Sequence, residues 1–392
     1  MYVIFVLDYS FPSSTAQSNR KRSLIKAMQY EGLKVDVICI VGTYLNDCFG
    51  NTDTDINITY LISKYRHDSF IIRNARKIFG RLISIVVLIQ RSRKNKVDVV
   101  FLPAKLHFYN SLVYLLSKFL GFKIAQEMSE YPHVLAKNRY SKITLQYYRY
   151  IYAKLLDGVI TMTYALEKFF KNICRSKAII STVPMSVDLD RFSMINDKRG
   201  DKYIAYCGDL SNKKDGVDIL IKAFGSIKDS FPDYKLYLIG GFSEQKTIND
   251  LKKICTDLKI EDRVTFTGRI SANEIPPILN NAQIMALARP SSIQAQGGFP
   301  TKLGEYLATK NPVVVTDVGE ISYYLKDGIS AFISKPDSVE SFAMKLKECL
   351  EDDQKSKQIG YRGYQVALEN FDYRVQAKSI KSFLLQLTGE FE

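Results

Sequence analysis

Residues 296–316 read QGGFPTKLGEYLATKNPVVVT. Gly297 and Gly298 let a backbone approach a ligand closely. Pro300 and Thr301 suit the first positions of a helix. A helix is expected over Lys302–Thr309, and Pro312 then opens a Val-rich strand. Free amides and a helix N-terminus would converge on one spot, a geometry that attracts a diphosphate. Lys302 places a positive charge in the first turn, against the helix dipole, where a bound anion would compensate it. Glu305, one turn later, is placed to accept hydrogen bonds from ribose hydroxyls. A loop, a helix cap and a surface glutamate would give the same string.

Working outward, short apolar runs alternate with helical patterns along the whole chain. Tyr2–Leu7, Val35–Val41, Val97–Leu102, Lys123–Gln126 and Gly158–Met162 are expected strands of the first half, with a helix over Arg22–Glu31 that Gly32 ends. The polar segment Asn196–Lys202 suits a linker. Beyond it the pattern restarts, with strands at Tyr203–Cys207, Lys235–Ile239, Val264–Thr267, Gln283–Ala288, Pro312–Thr316 and Ala331–Ile333. Helices are expected over Asp218–Ser226, Glu244–Leu258, Ile321–Leu325 and Ser338–Glu351. Strands alternating with helices predict parallel sheets covered on both faces. In such sheets ligands bind in the loops after the strands.

The 392 residues suggest two domains. The longest apolar run, Leu82–Ile89, is far short of a membrane span and is interrupted by Ser84. The N-terminal MYVIFVLDYS reaches Asp8 at once and reads as a strand, not a signal peptide. The six cysteines include no CxxC pair and suit free thiols in a reducing, cytoplasmic compartment. The three histidines lack metal-ligand spacing, so no metal is expected. Charge is uneven: residues 1–200 hold 30 Lys+Arg against 15 Asp+Glu, leaving 25 against 26 for the rest. The first half therefore faces something anionic. No nucleic-acid-binding motif is present.

The string GFPTKLGEYLATKNPVVVTDVGE resembles the signature of retaining glycosyltransferases of family 4, which have the GT-B fold. That resemblance implies two Rossmann-like domains with parallel sheets facing across a cleft. Pro300, Thr301, Lys302, Glu305 and Tyr306 fit the family's P-[ST]-K-x-x-E-Y version, with Glu305 at the ribose-binding glutamate. Gly297 stands where the family has a first Glu. Tyr206–Leu210 with Lys214–Asp218 is similar to the strand–loop–helix that grips donor phosphates. There Lys214 sits at the Lys position and Asp209 replaces an Arg, which Lys213 or Lys302 would have to make good. Gly240-Gly241 and Gly268-Arg269 resemble the next two strand ends, with Arg269 near the base. The resemblance assigns Gly208, Lys214, Arg269, Gly298, Phe299, Pro300, Thr301, Lys302 and Glu305 to the donor.

The first half matches more weakly. Phe11–Ala16 takes the place of the family's Gly-rich loop, and Arg20 after it is a candidate anion contact. Glu130 and His133 follow a strand and are the candidate catalytic groups, to orient an acceptor hydroxyl or accept its proton. No enzyme nucleophile is implied. Ser69–Lys96 mixes Arg and Lys with apolar residues, the pattern of a helix on an anionic membrane, or of one packed on the sheet with Arg stems along its sides.

These readings predict a domain at residues 1–195 that binds the acceptor and one at 196–370 that binds a nucleotide sugar. Residues 371–392 form a helix crossing back to the first. The implied activity is retaining transfer from a nucleotide-diphosphate sugar to a glycan or lipid-linked acceptor in bacterial polysaccharide or lipopolysaccharide biosynthesis. The protein would work on the inner face of the cytoplasmic membrane without cofactor or metal. Gly297 and Asp209 motivate an alternative, a non-catalytic relative that binds a nucleotide sugar or glycan. A nucleotide-dependent oxidoreductase is disfavoured, because no GxGxxG follows Leu7.

Overall fold

The computed structural model describes residues 1–13, 15–41, 56–62, 69–105, 107–132, 139–193, 200–210, 213–242 and 245–390. They form two compact units, Met1–Ser186 with Tyr373–Glu392, and Val187–Asp372.

The first unit runs β1 (Tyr2–Leu7), α1 (Ala16–Tyr30), β2 (Lys34–Cys39), β3 (Asn57–Tyr60), α2 (Phe70–Lys94), β4 (Val99–Phe101), α3 (His107–Leu120), β5 (Lys123–Met128), α4 (Arg139–Tyr150), β6 (Gly158–Thr161), α5 (Tyr164–Ile173) and β7 (Ile179–Thr182). Its seven strands are parallel, in the order β3-β2-β1-β4-β5-β6-β7. β1 is buried along its whole length, as a strand covered on both faces must be. Phe5 of β1 stacks on Phe101 of β4 with ring centroids 4.6 Å apart.

Helix α1 starts six residues before the expected Arg22, because Thr15 caps it by accepting from Ser18 N–H. That extra turn buries Arg20 and Lys21. β3 was not foreseen. It is a half-buried edge strand of Asn, Ile, Thr and Tyr, with no apolar run to reveal it. Arg91 of α2 ties it down, with Nη2 donating to Thr59 Oγ1 at 2.5 Å and Nη1 paired with Asp36 of β2.

The second unit runs β8 (Lys202–Cys207), α6 (Val217–Ile227), β9 (Tyr234–Ile239), α7 (Gln245–Asp257), β10 (Val264–Gly268), α8 (Ile275–Asn281), β11 (Ile284–Leu287), α9 (Ile293–Gly297), α10 (Thr301–Ala308), β12 (Val313–Thr316), α11 (Ile321–Tyr324), β13 (Phe332–Ser334), α12 (Val339–Glu351) and α13 (Asp353–Asn370). Its six parallel strands lie in the order β10-β9-β8-β11-β12-β13. Both sheets thus reverse direction after their first strand, between β1 and β4 and between β8 and β11. This is the doubly wound order, with a switch point at each reversal.

The units divide after Ser186, nine residues before the expected boundary at 195. The polar linker signal misleads because the preceding turn is already core of the second unit. Leu189 and Phe192 are buried there, and the Phe192 carbonyl accepts from Asn280 Nδ2 at 3.1 Å. The chain enters and leaves this unit side by side, Val187 N–H donating to the Phe371 carbonyl at 2.8 Å. The last helix, α14 (Tyr373–Thr388), belongs to the first unit and packs along α1. Its Ala377, Ile380, Phe383, Leu384 and Leu387 complete the core around β1 and β2. Gly158 lies directly under Phe383 and Leu387, where a Cβ would overlap the Phe383 ring. Among the described residues no helix is long and apolar enough to cross a membrane.

Phe383→Ala should therefore lower the unfolding free energy by about 3–5 kcal/mol, the usual cost of emptying a buried aromatic site. Urea denaturation reads this directly. A loss under about 1 kcal/mol, the size of an average substitution, would show that α14 is not part of the first unit's core.

Candidate functional site

At the switch point of the second unit, three segments meet: the loop leaving β8, the loop leaving β11, and the start of α10. The strand ends there are stitched by backbone hydrogen bonds. Gly208 N–H donates to the Ile239 carbonyl at 2.9 Å, Leu210 N–H to Gly241 at 2.9 Å and Gly240 N–H to Gly268 at 3.1 Å. Gly216, at φ +63°, caps α6, and any Cβ on it would strike the Ala288 carbonyl. The loops after β8 and β11 therefore touch, and only glycine permits it.

A buried polar cluster lies beneath. The Lys302 ammonium, from the first turn of α10, forms an ion pair with Asp215 and donates to Tyr206 Oη at 3.2 Å. It sits 4.7 Å from the centroid of the Tyr206 ring. Tyr206 Oη in turn donates to Asp215 Oδ2 at 2.9 Å. Burial opposes charge on Asp215, but Lys302 and the Tyr206 hydroxyl outweigh it and hold the carboxyl below its ordinary range. Arg289, the residue two past β11, is buried and adds positive potential at Asp215. Gly208 lies over this cluster, and a Cβ there would overlap both the Lys302 ammonium and the Tyr206 hydroxyl.

One turn further along α10, Tyr306 is buried and its hydroxyl accepts from Cys207 N–H at 2.7 Å, which fixes the last residue of β8. Glu305 faces Arg191, Oε1 to Nη1 at 3.3 Å, with 17% of its side chain exposed. Burial raises its carboxyl above the ordinary range, while Arg191 and Lys302 act in the opposite direction. Burial also pushes the neighbouring Cys207 thiol up to about 12, which keeps it neutral.

The structure brings together Gly208, Lys302 and Glu305, with Gly298, Pro300 and Thr301 leading into α10. Lys214 is half-buried on the loop after β8. Arg269 is exposed beyond β10, its stem lying against Gly241, where a Cβ would come within 2.6 Å of Arg269 Cγ. Two expectations need correction. The Phe299 side chain faces the core, not a ligand, with its ring 5.6 Å from Tyr324 and 5.5 Å from Phe371. Arg20 is not an open anion contact. It is buried, its Nε paired with Glu127 at 3.2 Å and its two terminal nitrogens donating to the Val183 and Pro184 carbonyls. Lys21 pairs with the other oxygen of Glu127. Glu130 is half-buried just past β5. His133 lies outside the described residues, as does the Lys213 side chain.

Tyr206 and Asp215 lie within the phosphate-gripping motif but had no role of their own in the sequence reading, and Arg191 and Arg289 had none. The Asp215–Lys302 pair spans 87 residues, and a polar KKDG turn gives no sign that its Asp is buried. Arg289 did leave a signal: a lone Arg directly after the apolar run Ile284–Ala288.

Residues 190–366 match the family described as glycosyl transferases group 1. A stretch of 220 residues, 53% of this chain and 56% of the relative, is 26% identical to the GDP-mannose-dependent alpha-(1-6)-phosphatidylinositol monomannoside mannosyltransferase of Mycolicibacterium smegmatis. Another of 210 residues, 50% of this chain and 45% of the relative, is 25% identical to mannosylfructose-phosphate synthase of Agrobacterium fabrum. The chain spans about half the length of these curated relatives. Sucrose-phosphate synthase from Thermosynechococcus elongatus superposes with a TM-score of 0.78 at 15% identity, covering 100% of both chains. Anabaena HepE, crystallised with UDP and glucose, superposes with a TM-score of 0.74 at 16% identity, covering 98% of this chain and 99% of that one. At such identities the likeness shows the fold, which is that of GT-B glycosyltransferases.

Asp215 titrates lower in the folded chain than its ordinary 3.8. Its stabilising contribution is thus fully present above that pH and is lost as pH falls through the folded value. Asp215→Asn, which leaves the Lys302 ammonium unpaired, should cost about 3 kcal/mol at neutral pH. The gap from wild type should narrow below pH 3.8. Melting curves across that range check it, and a gap independent of pH would overturn the pair.

Proposed function

We propose that this chain, whose second unit belongs to the glycosyl transferases group 1, is a retaining hexosyltransferase that uses a nucleotide-diphosphate sugar. Its acceptor would be a glycan or lipid-linked sugar of bacterial polysaccharide or lipopolysaccharide biosynthesis, met at the cytoplasmic face of the membrane. One observation carries the reading. At the switch point of the second sheet, Gly208 clears the backbone over a cationic cluster while α10 directs its N-terminus, Lys302 and Glu305 to the same place. Strand ends at such a point and a helix N-terminus are where a diphosphate is held. The names of the relatives support a nucleotide-sugar donor: one uses GDP-mannose, and one neighbour holds UDP and glucose.

In this reading Lys302 plays two parts. Its pair with Asp215 fixes it under Gly208, and its charge remains close enough to serve the phosphates. Lys214 adds a second cation from the loop. Glu305, steadied by Arg191, takes the ribose hydroxyls, and Arg269 lies toward the base. Glu130, with His133, serves the acceptor on the first unit. The acceptor oxygen bonds to the anomeric carbon as the carbon–phosphate oxygen bond breaks, and the acceptor proton passes to the departing phosphate. The protein contributes positioning and charge stabilisation.

Titration calorimetry with UDP, GDP and ADP, followed by transfer assays with their sugars, tests the proposal. Lys214→Ala should weaken nucleotide binding about tenfold, the size of one charged hydrogen bond. Lys302→Ala should weaken binding and lower the melting temperature. Wild-type affinity in both variants would remove the site. Binding without sugar transfer to any acceptor would favour the non-catalytic relative, to which Gly297 and Asp209 point.

A further inference from the structure

Helix α2 buries the side that carries Gly80, Ser84 and Leu88. The opposite side, at helical spacing, carries Ile71, Ala75, Ile78, Leu82 and Val86, all exposed. A helix on the surface of a soluble domain normally turns that side polar. α3 repeats the inversion. It buries Tyr109, Val113 and Ser117, and it exposes Phe108, Leu112, Leu115 and Phe119, the last with 87% of its surface in solvent. The two helices pack together and are pinned by a 2.7 Å hydrogen bond between Ser84 Oγ and Tyr109 Oη. The two neighbouring helices of the first unit thus each turn an apolar stripe to solvent.

Charge selects the occupant. α2, α3 and α4 contain seven, one and three Lys or Arg and no Asp or Glu. Lys77, Arg93, Lys94, Lys118, Lys142 and Arg149 are all exposed. A second copy of this chain would set these cations against their own kind, since a two-fold interface meets itself. An anionic bilayer instead accepts apolar side chains at the headgroup–acyl boundary and cations among its phosphates.

We propose that this acid-free surface of α2, α3 and α4 docks the first unit on anionic lipid. The proposal deepens the membrane part of the function proposed above and rests on that reading only for where the acceptor is met. Nucleotide binding belongs to the second unit and is tested separately.

Vesicle flotation of the whole chain decides it. The chain should bind vesicles with about a third anionic phosphatidylglycerol far better than phosphatidylcholine alone, and binding should fall in high salt. Leu82→Glu with Phe119→Glu should weaken binding at least about tenfold, because each removes an anchoring side chain and adds a repelled charge. Both substitutions lie on exposed positions, so melting temperature and nucleotide affinity should stay at wild-type values. No binding to anionic vesicles, or equal binding by the double variant, would overturn the proposal. So would a dimer in light scattering that the double variant dissociates. Vesicle binding retained in a chain that binds no nucleotide would instead count against the donor site alone.

Discussion

In a parallel sheet every strand delivers its C-terminal end to the same edge, so the loops that leave those ends crowd together. Where the strand order reverses, the crossovers on either side depart to opposite faces of the sheet. This chain meets the constraint twice, at β1/β4 and at β8/β11. In the second unit glycines stand at several of the closest approaches between these loops. Gly216 passes the Ala288 carbonyl, and Gly240 passes that of Gly208. These positions serve packing before they serve any ligand. At Gly208 the absent Cβ is what leaves room for the Lys302 ammonium and the Tyr206 hydroxyl.

The same edge of each sheet holds a buried carboxylate between two cations. Glu127 at the end of β5 takes Arg20 and Lys21, and Asp215 beyond β8 takes Lys302 with Arg289 nearby. Burial alone would raise both carboxyls, yet both are held below their ordinary range by the surrounding cations. Desolvation is costly for each charge, and one carboxylate cannot compensate two cations. Each carboxylate is thus held charged by the cations around it, at the C-terminal ends of the strands of its sheet. In the second unit the Lys302 charge lies beside the start of α10, where the helix dipole has the same sign. An anion bound there, as proposed for the donor phosphates, would meet charge and dipole of the same sign. In the first unit the Arg20 guanidinium is saturated by backbone carbonyls as well, so its charge acts as a fixed background field.

Strand and helix alternation was legible because buried parallel strands are apolar runs, and nearly all the expected strands lie within a residue or two of the observed ones. β3 escaped because an edge strand needs no apolar face. The start of α1 escaped because its cap is a single Thr15 hydroxyl in a Ser/Thr-rich segment. The donor motif was visible as a string, but the string did not say which side chains face inward. Phe299 looked like part of a ligand loop and is core, held by Tyr324 and Phe371. Lys302 was read as a charge that a bound anion would compensate, and its pair with Asp215 was not visible. Both contacts were hidden for one reason: partners far apart in sequence, here 87 residues for Lys302 and Asp215, leave no periodicity to read.

The strongly basic character of the first half now divides into two kinds of charge. Arg20, Lys21 and Arg91 are buried or half-buried and bonded within the fold, to Glu127 and Asp36. Screening by salt scarcely reaches such pairs. The exposed cations of α2, α3 and α4 have no acidic residue on their own helices to meet and are fully open to screening. They are accompanied by outward apolar stripes, which contribute nothing to the unit's own core because Gly80, Ser84, Leu88 and Val113 already face it. Folding stability therefore cannot account for the Leu, Ile and Phe on those outer faces. Those outer faces, with no acidic residue along the three helices, are what the proposed docking on anionic lipid rests on.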